Sequence, residues 1–372
     1  MIPQFDLSRQ HLALEPDLEA ALGRVLHSSR FVLGPEGGAL EEQVAAFCGT
    51  RYAVGVGSGS DALKLALQAL GVGAGDEVIT TAFSFVATAT AILQLGARPV
   101  FVDIDPETLN LDVAQVAGAV TPRTVAILPV HLFGLPAEMA TLRTIADRHG
   151  LALVEDAAQA FGATYHGRRV GSLGDVACLS FYPTKPLGGS GDGGMVLTDQ
   201  ADVAESLRRL RHHGSDERYH HIELGWNSRL DEVQAAFLRV KLPHVDRWAE
   251  ARRRIAARYA LLLADLPLSL PGDRPSARHV YHQFTVRSQE RDGLAKFLQS
   301  REIGTALHYP LPLPAQPVLR ALGYSAEPFA HSWTAAQTVL SLPCFPELRD
   351  DEVETVAAAI HDFYREEPKC EL

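Results

Sequence analysis

Seven short apolar runs alternate with helix-like segments in the first part of the chain. Strands that alternate with helices form a mostly parallel sheet with helices on both faces. The sequence therefore predicts an α/β fold around a seven-stranded sheet, and active sites of such sheets lie at the carboxyl ends of the strands. The runs are Ala53 to Gly57, Val78 to Thr80, Val100 to Ile104, Val125 to Val130, Leu151 to Glu155, Val176 to Phe181 and Met195 to Thr198.

The pattern changes in the last third of the chain. A long, arginine-rich amphipathic helix is predicted from Leu242 to Leu263, and a proline-rich linker from Pro267 to Pro275. Short strands and helices then alternate to the end, which is typical of a small α+β domain. A chain of 372 residues with 47% hydrophobic content can bury one large and one small core. We predict a large domain over residues 1–245 and a small C-terminal domain over residues 246–372.

Charge and composition exclude several classes of protein. A formal net charge of −11 argues against a nucleic-acid-binding surface. No apolar run reaches the about 18 residues of a membrane span, and Met1 to Gln10 contains no apolar signal core. We expect a cytoplasmic protein that binds neither nucleic acid nor membrane. Its cysteines lack metal-ligand spacing and are interpreted as reduced thiols; they are Cys48, Cys178, Cys344 and Cys370.

A lysine follows the sixth apolar run in a glycine-rich loop. Lys185 stands in the segment Ser180 to Gly194, which contains five glycines. A lysine that can lose its proton beside close-packed backbone is what Schiff-base chemistry requires. Glycine-rich loops are more often plain turns, so this signal needs support from other segments.

Carboxylates follow the fifth apolar run. The strand Leu151 to Val154 leads directly into Glu155, Asp156 and, three residues later, Gln159. If the cofactor is pyridoxal phosphate, a carboxylate must keep its pyridine nitrogen protonated, because the protonated ring accepts the electrons released at Cα. Asp156 is the candidate, with Gln159 close by.

The first apolar run leads into small residues and then a helix. Gly57, Ser58, Gly59 and Ser60 precede a helix predicted from Ala62 to Leu70. Free N–H groups at a helix N-terminus bind phosphate, although an ordinary serine N-cap explains the same residues. No Gly-Lys-Ser/Thr motif closes the segment, so it is not a P-loop.

Together these segments resemble the fold-type I pyridoxal-phosphate enzymes, and in detail the DegT-type nucleotide-sugar aminotransferases. The resemblance covers nearly the whole chain and implies an aspartate-aminotransferase-like fold. The motifs that carry it are Phe31 to Glu36, Ser58 to Leu63, Gly75 to Thr80, Phe101 to Asp105, Glu155 to Gln159, the Lys185 loop, Gly225 to Glu232 and His308 to Pro310.

The resemblance also implies residue roles. Lys185 would bond covalently to the cofactor, Asp156 would pair with the pyridine nitrogen, and Gln159 would lie near the phenolic oxygen. Phe85 would stack on the ring, although a plain core position is its alternative. Gly59, Ser60 and Ser180 would hold the phosphate. Asn227 would reach the phosphate in the neighbouring subunit, so a homodimer would share its active sites.

The resemblance implies a reaction that transfers the amino group of L-glutamate to a keto nucleotide sugar in surface polysaccharide biosynthesis. The sequence around Lys185 resembles enzymes that aminate C3 rather than C4. Arg229, His308 and Tyr309 are expected to enter the site from the partner chain. Together with the segment Tyr219 to His221, they resemble the corresponding residues of enzymes that act on UDP-2-acetamido-3-oxo-glucuronate. A dTDP-3-oxo-6-deoxyhexose is the alternative substrate.

Other classes of function are less well supported by the sequence. Relatives with histidine at the lysine position dehydrate their substrates, and Lys185 argues against that reaction. A non-catalytic regulatory protein on the same fold remains a hypothesis. The pairs His212-His213 and His220-His221 lack partners at ligand spacing, so no metal site is predicted.

Overall fold

The structure is a computed structural model that describes residues 1–366. Its centre is a seven-stranded sheet whose members correspond one by one to the seven apolar runs. Cys48, Cys178 and Cys344 are buried free thiols, whereas Cys370 lies outside the described residues. The strands of the central sheet are β1 (Tyr52–Val56), β2 (Glu77–Thr81), β3 (Arg98–Val102), β4 (Thr124–Leu128), β5 (Ala152–Asp156), β8 (Val176–Ser180) and β9 (Gly194–Thr198).

The sheet is mostly parallel, as the alternation of strands and helices predicts. Its spatial order is β1-β9-β8-β5-β4-β2-β3. Strands β8, β5, β4, β2 and β3 are parallel, whereas β9 runs antiparallel to both β8 and β1. Antiparallel neighbours need no crossover helix, so the chain returns from β8 to β9 through the loop that carries Lys185. That loop lies at the carboxyl end of β8.

Helices cover both faces of the sheet. The apolar side chains of the helices and the strands pack together in two clusters. Strand β2 is buried along its whole length, as expected for a strand with helices on both sides. The helices up to the end of the predicted large domain are α1 (Ser8–Ser28), α2 (Pro35–Cys48), α3 (Gly59–Ala69), α4 (Ala87–Leu93), α5 (Val113–Ala119), α6 (Met139–His149), α7 (Ala201–Leu210) and α8 (Glu232–Lys241).

The long helix predicted from Leu242 is shorter than expected. A single 3₁₀ turn covers Leu242–His244, and α9 spans Val245–Leu262. Pro243 explains the interruption, because proline has no N–H for an intrahelical hydrogen bond.

The C-terminal part is a smaller α+β unit with its own apolar cluster. Ile2 and Phe5 from the other end of the chain pack against that cluster, and Ile2 forms a parallel bridge with Ile303. The division of the chain at residue 245 stays a prediction. The elements here are α9, the antiparallel pair β13 (Phe284–Arg287) and β14 (Val339–Leu342), α10 (Arg291–Ser300), α11 (Pro317–Ala321), α12 (Ala330–Thr338) and α13 (Asp350–Glu366).

Two connections tie this unit to the central sheet. Strand β12 (Ala277–Arg278) pairs with β6 (Thr164–Tyr165), which in turn pairs with β7 (Arg168–Arg169). The Asp103 carboxylate accepts hydrogen bonds from the His331 and Ser332 N–H groups at the start of α12, both at 2.9 Å.

A small hairpin of β10 (Ser215–Glu217) and β11 (His220–His221) precedes α8. Among the described residues no helix has both the length and the apolar composition of a membrane span.

Candidate active site

A cavity of about 520 Å³ opens at the carboxyl ends of β5 and β8, where the sheet meets the C-terminal unit. Most of the residues predicted for the site line this one cavity. They are Gly59, Ser60, Phe85, Asp156, Gln159, Ser180, Lys185, His308 and Tyr309.

Lys185 stands in a tight turn within the β8–β9 loop. Its backbone N–H donates to the Tyr182 carbonyl at 2.8 Å, and the Gly189 N–H donates to the Phe181 carbonyl at 2.8 Å. A Cβ at position 188 would lie 2.1 Å from the Pro183 carbonyl oxygen. Position 188 therefore requires glycine, because any side chain would collide with the Pro183 backbone.

The ammonium of Lys185 is poorly hydrated. Burial lowers its pKa to about 8, and the nearby Asp156 carboxylate opposes that shift. A lysine with this pKa has an uncharged, nucleophilic fraction near neutral pH that an ordinary lysine lacks. The site therefore gives Lys185 the readily lost proton that Schiff-base chemistry requires.

Asp156 ends β5 with a buried carboxylate that lines the cavity. Its Oδ2 accepts a hydrogen bond from Thr88 Oγ1 at 2.9 Å, and its Oδ1 accepts one from the Ala158 N–H at 3.3 Å. Burial raises the pKa of Asp156, while the Thr88 hydrogen bond acts in the opposite direction. A buried carboxylate is most stable beside a cation, and a protonated ring nitrogen is such a partner.

The N-terminus of α3 faces the same cavity. Ser58 is the N-cap, since its Oγ accepts the Asp61 N–H at 3.0 Å. The N–H groups of Gly59 and Ser60 occupy first-turn positions that have no intrahelical acceptor. A Cβ at Gly59 would lie 2.6 Å from Ser180 Cβ. Glycine therefore lets the helix terminus approach the end of β8 closely.

Phe85 is not a core residue. Its side chain is 53% exposed and lines the cavity, so the alternative of a plain core position is wrong. An exposed aromatic ring at this place is a surface on which a planar ring can stack. The stacking role itself stays a prediction.

Gln159 and Tyr309 connect the two walls of the cavity. Gln159 Oε1 accepts the Phe133 N–H at 2.8 Å, and its Nε2 donates to the Tyr309 hydroxyl at 3.2 Å. His308 accompanies Tyr309, with Nδ1 2.9 Å from Ser341 Oγ. Burial lowers the pKa of His308 to about 4. His308 therefore offers a neutral imidazole to the cavity at neutral pH.

The expectation that His308 and Tyr309 come from the partner chain is wrong. Both residues line the cavity of the chain that carries Lys185, and Tyr309 bonds to Gln159 of that chain. The segment after β13 folds back over the sheet edge. This intrachain route could not be recognised from the motif alone.

Asn227 and Arg229 do not line this cavity. Asn227 is exposed, and Arg229 Nη1 lies 3.1 Å from His212 Nδ1. Between them, the buried Ser228 donates to Asp61 Oδ2 at 2.7 Å and accepts the Gly57 N–H at 3.0 Å. The extended backbone thus directs Ser228 toward the α3 terminus and its two neighbours elsewhere.

Sequence reasoning missed several residues of the cavity. Thr88 was overlooked although it stands only three residues after Phe85, and its N–H donates to the Phe85 carbonyl at 3.2 Å. His282, Gln283, Tyr182 and Asp192 also line the cavity. Tyr182 and Asp192 stand in the Lys185 loop, whereas His282 and Gln283 stand in none of the motifs found in the sequence. No group of three or more metal-ligating side chains occurs within residues 1–366.

The lysine, the buried aspartate, the exposed aromatic ring and the helix terminus fit pyridoxal phosphate. Fold and site together define the class of fold-type I aminotransferases. The chain belongs to the DegT/DnrJ/EryC1/StrS aminotransferase family, whose model matches residues 13–361. It is a sugar aminotransferase that depends on pyridoxal phosphate.

Several characterised proteins are similar over nearly their whole length. A pleiotropic regulatory protein of Geobacillus stearothermophilus is 51% identical, covering 98% of this chain and 99% of that protein. The UDP-N-acetyl-3-dehydro-α-D-glucosamine 3-aminotransferase of Acidithiobacillus ferrooxidans is 46% identical, with 96% and 97% covered. The UDP-2-acetamido-2-deoxy-3-oxo-D-glucuronate aminotransferase of Pseudomonas aeruginosa is 42% identical, with 97% and 99% covered.

Solved structures agree with the fold. DesV of S. venezuelae, in complex with a ketimine intermediate, superimposes with a TM-score of 0.96 at 46% identity, and 99% of each chain is covered. NtdA of Bacillus subtilis with bound cofactor PMP gives a TM-score of 0.88 at 31% identity, with 94% of this chain and 82% of that chain covered.

Proposed function

We propose that this enzyme transfers an amino group from L-glutamate to C3 of a nucleotide-linked 3-keto sugar. The observation that carries the proposal is the meeting of Lys185, Asp156 and the α3 N-terminus in one cavity. The C3 position is supported by the residues around Lys185 and by relatives whose names specify 3-keto substrates. A cytoplasmic location is part of the same proposal.

The resemblance supplies the proposed roles, and the shared cavity supports them. The N–H groups of Gly59 and Ser60 and the Ser180 hydroxyl would hold the cofactor phosphate, Phe85 would cover the ring, and Gln159 would lie beside the phenolic oxygen. Asp156 would keep a proton on the ring nitrogen. The chemistry that the bound cofactor supplies is an electron sink for the substrate Cα.

Lys185 moves the proton in this scheme. Its amine, with a pKa lowered to about 8, takes the proton from Cα of the amino donor and returns one to C3 of the acceptor sugar. His308 and Tyr309 act on the substrate from the same chain. Because both half-reactions need the same proton transfer, one lysine serves both.

The proposed assembly is a homodimer with shared sites. Exposed apolar side chains surround Asn227 and Arg229, and Leu224 is 91% exposed. Val32 bridges to Asp231, which brings the exposed segment Phe31 to Leu33 next to them. A contiguous exposed apolar surface of this kind supports a contact with a second copy. Asn227 and Arg229 would then complete the partner's cavity.

The best candidate for the sugar is UDP-2-acetamido-2-deoxy-3-oxo-glucuronate. Among the described residues the Arg229 guanidinium has a histidine but no carboxylate partner, so it is available to a substrate carboxylate in the second subunit. The alternative is a dTDP-3-oxo-6-deoxyhexose. It is favoured by the chain's own cavity wall, where Lys185 is the only lysine or arginine among the described lining residues.

An assay with L-glutamate and a panel of sugars tests these proposals. The panel contains the 3-keto uronate, its 6-hydroxy analogue, a 3-keto-6-deoxyhexose and a 4-keto sugar. Arg229→Gln should cost about 1.5 to 3 kcal/mol of binding on the uronate and little on the uncharged sugars. Equal losses on all sugars would contradict the carboxylate role, and turnover of only the 4-keto sugar would contradict C3 amination.

The role of Lys185 has its own test. Borohydride treatment of the wild type with added cofactor should label Lys185, and Lys185→Ala should lose both the label and the visible absorbance of the covalently bound cofactor. The other lysines serve as internal controls: Lys64, Lys241, Lys296 and Lys369. A label on any of these would overturn the assignment, and a folded wild type that takes no cofactor would favour the regulatory hypothesis.

A further inference from the structure

A completely buried lysine contacts the active-site loop. Lys241 ends α8 and its side chain is completely buried. It does not line the cavity that contains Lys185. Burial of an ammonium is unfavourable unless hydrogen bonds or charges compensate for lost hydration, so the partners of Lys241 indicate why it is there.

The principal partner of Lys241 is the loop that carries Lys185. Its Nζ donates to the Gly188 carbonyl at 2.9 Å. Gly188 follows Lys185 by three residues and closes the tight turn on Pro183. The hydrogen bond therefore joins the end of the turn to the last residue of α8.

Two titratable groups face the Lys241 ammonium from other elements. His11 of α1 lies with Nε2 3.3 Å from Nζ, and Glu347, in the segment after β14, attracts the positive charge. Burial nevertheless lowers the pKa of Lys241 to about 8. Burying the Lys241 ammonium therefore costs desolvation free energy. A neutral side chain of similar volume would fill the same space without that cost. Packing alone does not explain a lysine at this position.

We infer that Lys241 is a positioning residue for Lys185: its hydrogen bond to Gly188 holds the Pro183–Gly188 turn in the form that presents Lys185 to the cavity. The inference rests on the proposed role of Lys185. Since Lys241 touches neither cavity nor substrate, it acts on how often Lys185 is correctly placed, and its loss should lower kcat rather than raise KM.

Lys241→Met tests the inference, since methionine fills the space without a donor. We expect kcat to fall about tenfold to hundredfold, the range for the loss of one hydrogen bond to a charged group, with KM for both substrates within about twofold of the wild-type value. The rate at which added pyridoxal phosphate is fixed to Lys185, measured by borohydride quenching and peptide mapping, should fall in parallel. Lys241→Arg, which keeps the charge and donors, should recover much of both rates.

The exposed Lys296 of α10 offers a matched control, and Lys296→Met should change neither rate. If Lys241→Met does not accumulate in a folded form, Lys241→Leu serves instead, because leucine also lacks a donor. Folded Lys241→Met or Lys241→Leu protein with wild-type kcat and labelling rate would overturn the inference, as would a loss seen only in KM. Failure of the Lys185 role is distinguishable, because the wild type would then be labelled at another lysine.

Discussion

The carboxylate of Asp156 is buried at the end of β5 and depends on the Thr88 hydroxyl for its strongest hydrogen bond. Burial raises the pKa of Asp156 and the Thr88 donor lowers it, so the two effects compete at one atom. A carboxylate that became protonated could not hold a proton on the cofactor nitrogen. The threonine therefore supports the proposed electron sink by favouring the ionised form of the aspartate.

We predict that Thr88→Val lowers kcat by about tenfold, because loss of a donor to a charged group is worth about 1.5 kcal/mol or more. Removal of the Thr88 hydroxyl should raise the pKa of Asp156 further. The acid limb of the profile of kcat against pH should therefore move to higher pH. Thr90→Val is the control, since Thr90 Oγ1 donates to the Val86 and Ala87 carbonyls, at 3.2 and 3.4 Å, and not to Asp156. Equal behaviour of the two variants would contradict this role.

Lys185 should also affect the pH dependence of stability in cofactor-free protein. Its folded-state pKa of about 8 lies below the unfolded value of about 10.4, so the unfolded chain binds more protons between these limits. The free energy of unfolding should therefore rise with pH across that window. Lys185→Met should be more stable than wild type below pH 8, and the difference should shrink toward pH 10.

Urea unfolding at pH 7 and pH 10 measures this difference. The exposed Lys296 is the reference, because Lys296→Met should shift stability equally at both values. A Lys185→Met variant whose advantage is the same at both pH values would show that the lysine is not desolvated in the folded chain.

Helix α3 and strand β8 meet at the proposed phosphate site, and their separation is set by a single glycine. A Cβ at Gly59 would lie 2.6 Å from Ser180 Cβ and 3.2 Å from Ser180 Cα. Because the obstacle includes backbone, the helix terminus rather than a flexible side chain would have to move. The N–H groups that face the cavity would move with it.

We predict that Gly59→Ala weakens cofactor binding by about tenfold, the cost of roughly 1.4 kcal/mol for displaced donors. Fluorescence titration with pyridoxal phosphate gives the Kd. Gly38→Ala in α2 is the control, since nothing lies within 4 Å of its Cβ position; it should leave the Kd unchanged and stabilise the fold by up to about 1 kcal/mol. Unchanged binding in Gly59→Ala would remove α3 from the phosphate site.

For the whole molecule, the structure divides four of the predicted site residues into two groups. His308 and Tyr309 share a cavity with Lys185 of the same chain. Asn227 and Arg229 lie outside that cavity, beside exposed apolar side chains. In the proposed dimer each site therefore takes one group from each subunit.

Subunit mixing tests this division. We predict that inactive Lys185→Ala mixed with inactive Asn227→Ala regains activity, because one site of the heterodimer has both residues intact. Lys185→Ala mixed with Tyr309→Ala should regain none, because the two residues belong to one site. Activity is measured after subunit exchange has been verified by mass. Recovery in the second mixture, or its absence in the first, would contradict the division.

The positions of the sheet strands and of the catalytic candidates on them could be predicted from the sequence. Each strand is a local apolar run, and residues that follow parallel strands meet at one sheet edge. Asp156 at the end of β5 and Lys185 after β8 are therefore neighbours by topology alone. The interruption at Pro243 also has a local cause, but the pattern of apolar residues revealed neither this interruption nor the antiparallel direction of β9.

Only the tertiary structure decided which distant residues complete the site. Gln159 and Tyr309 are 150 positions apart and Thr88 and Asp156 are 68 apart, and no local pattern relates either pair. The exposure of Phe85, the lowered pKa of Lys185 and the contact of Lys241 with Gly188 depend on how the C-terminal unit and α8 pack against the sheet. Spacing along the chain determines which residues leave a strand together, whereas packing determines what surrounds them, and hydration and hydrogen bonding follow from those surroundings.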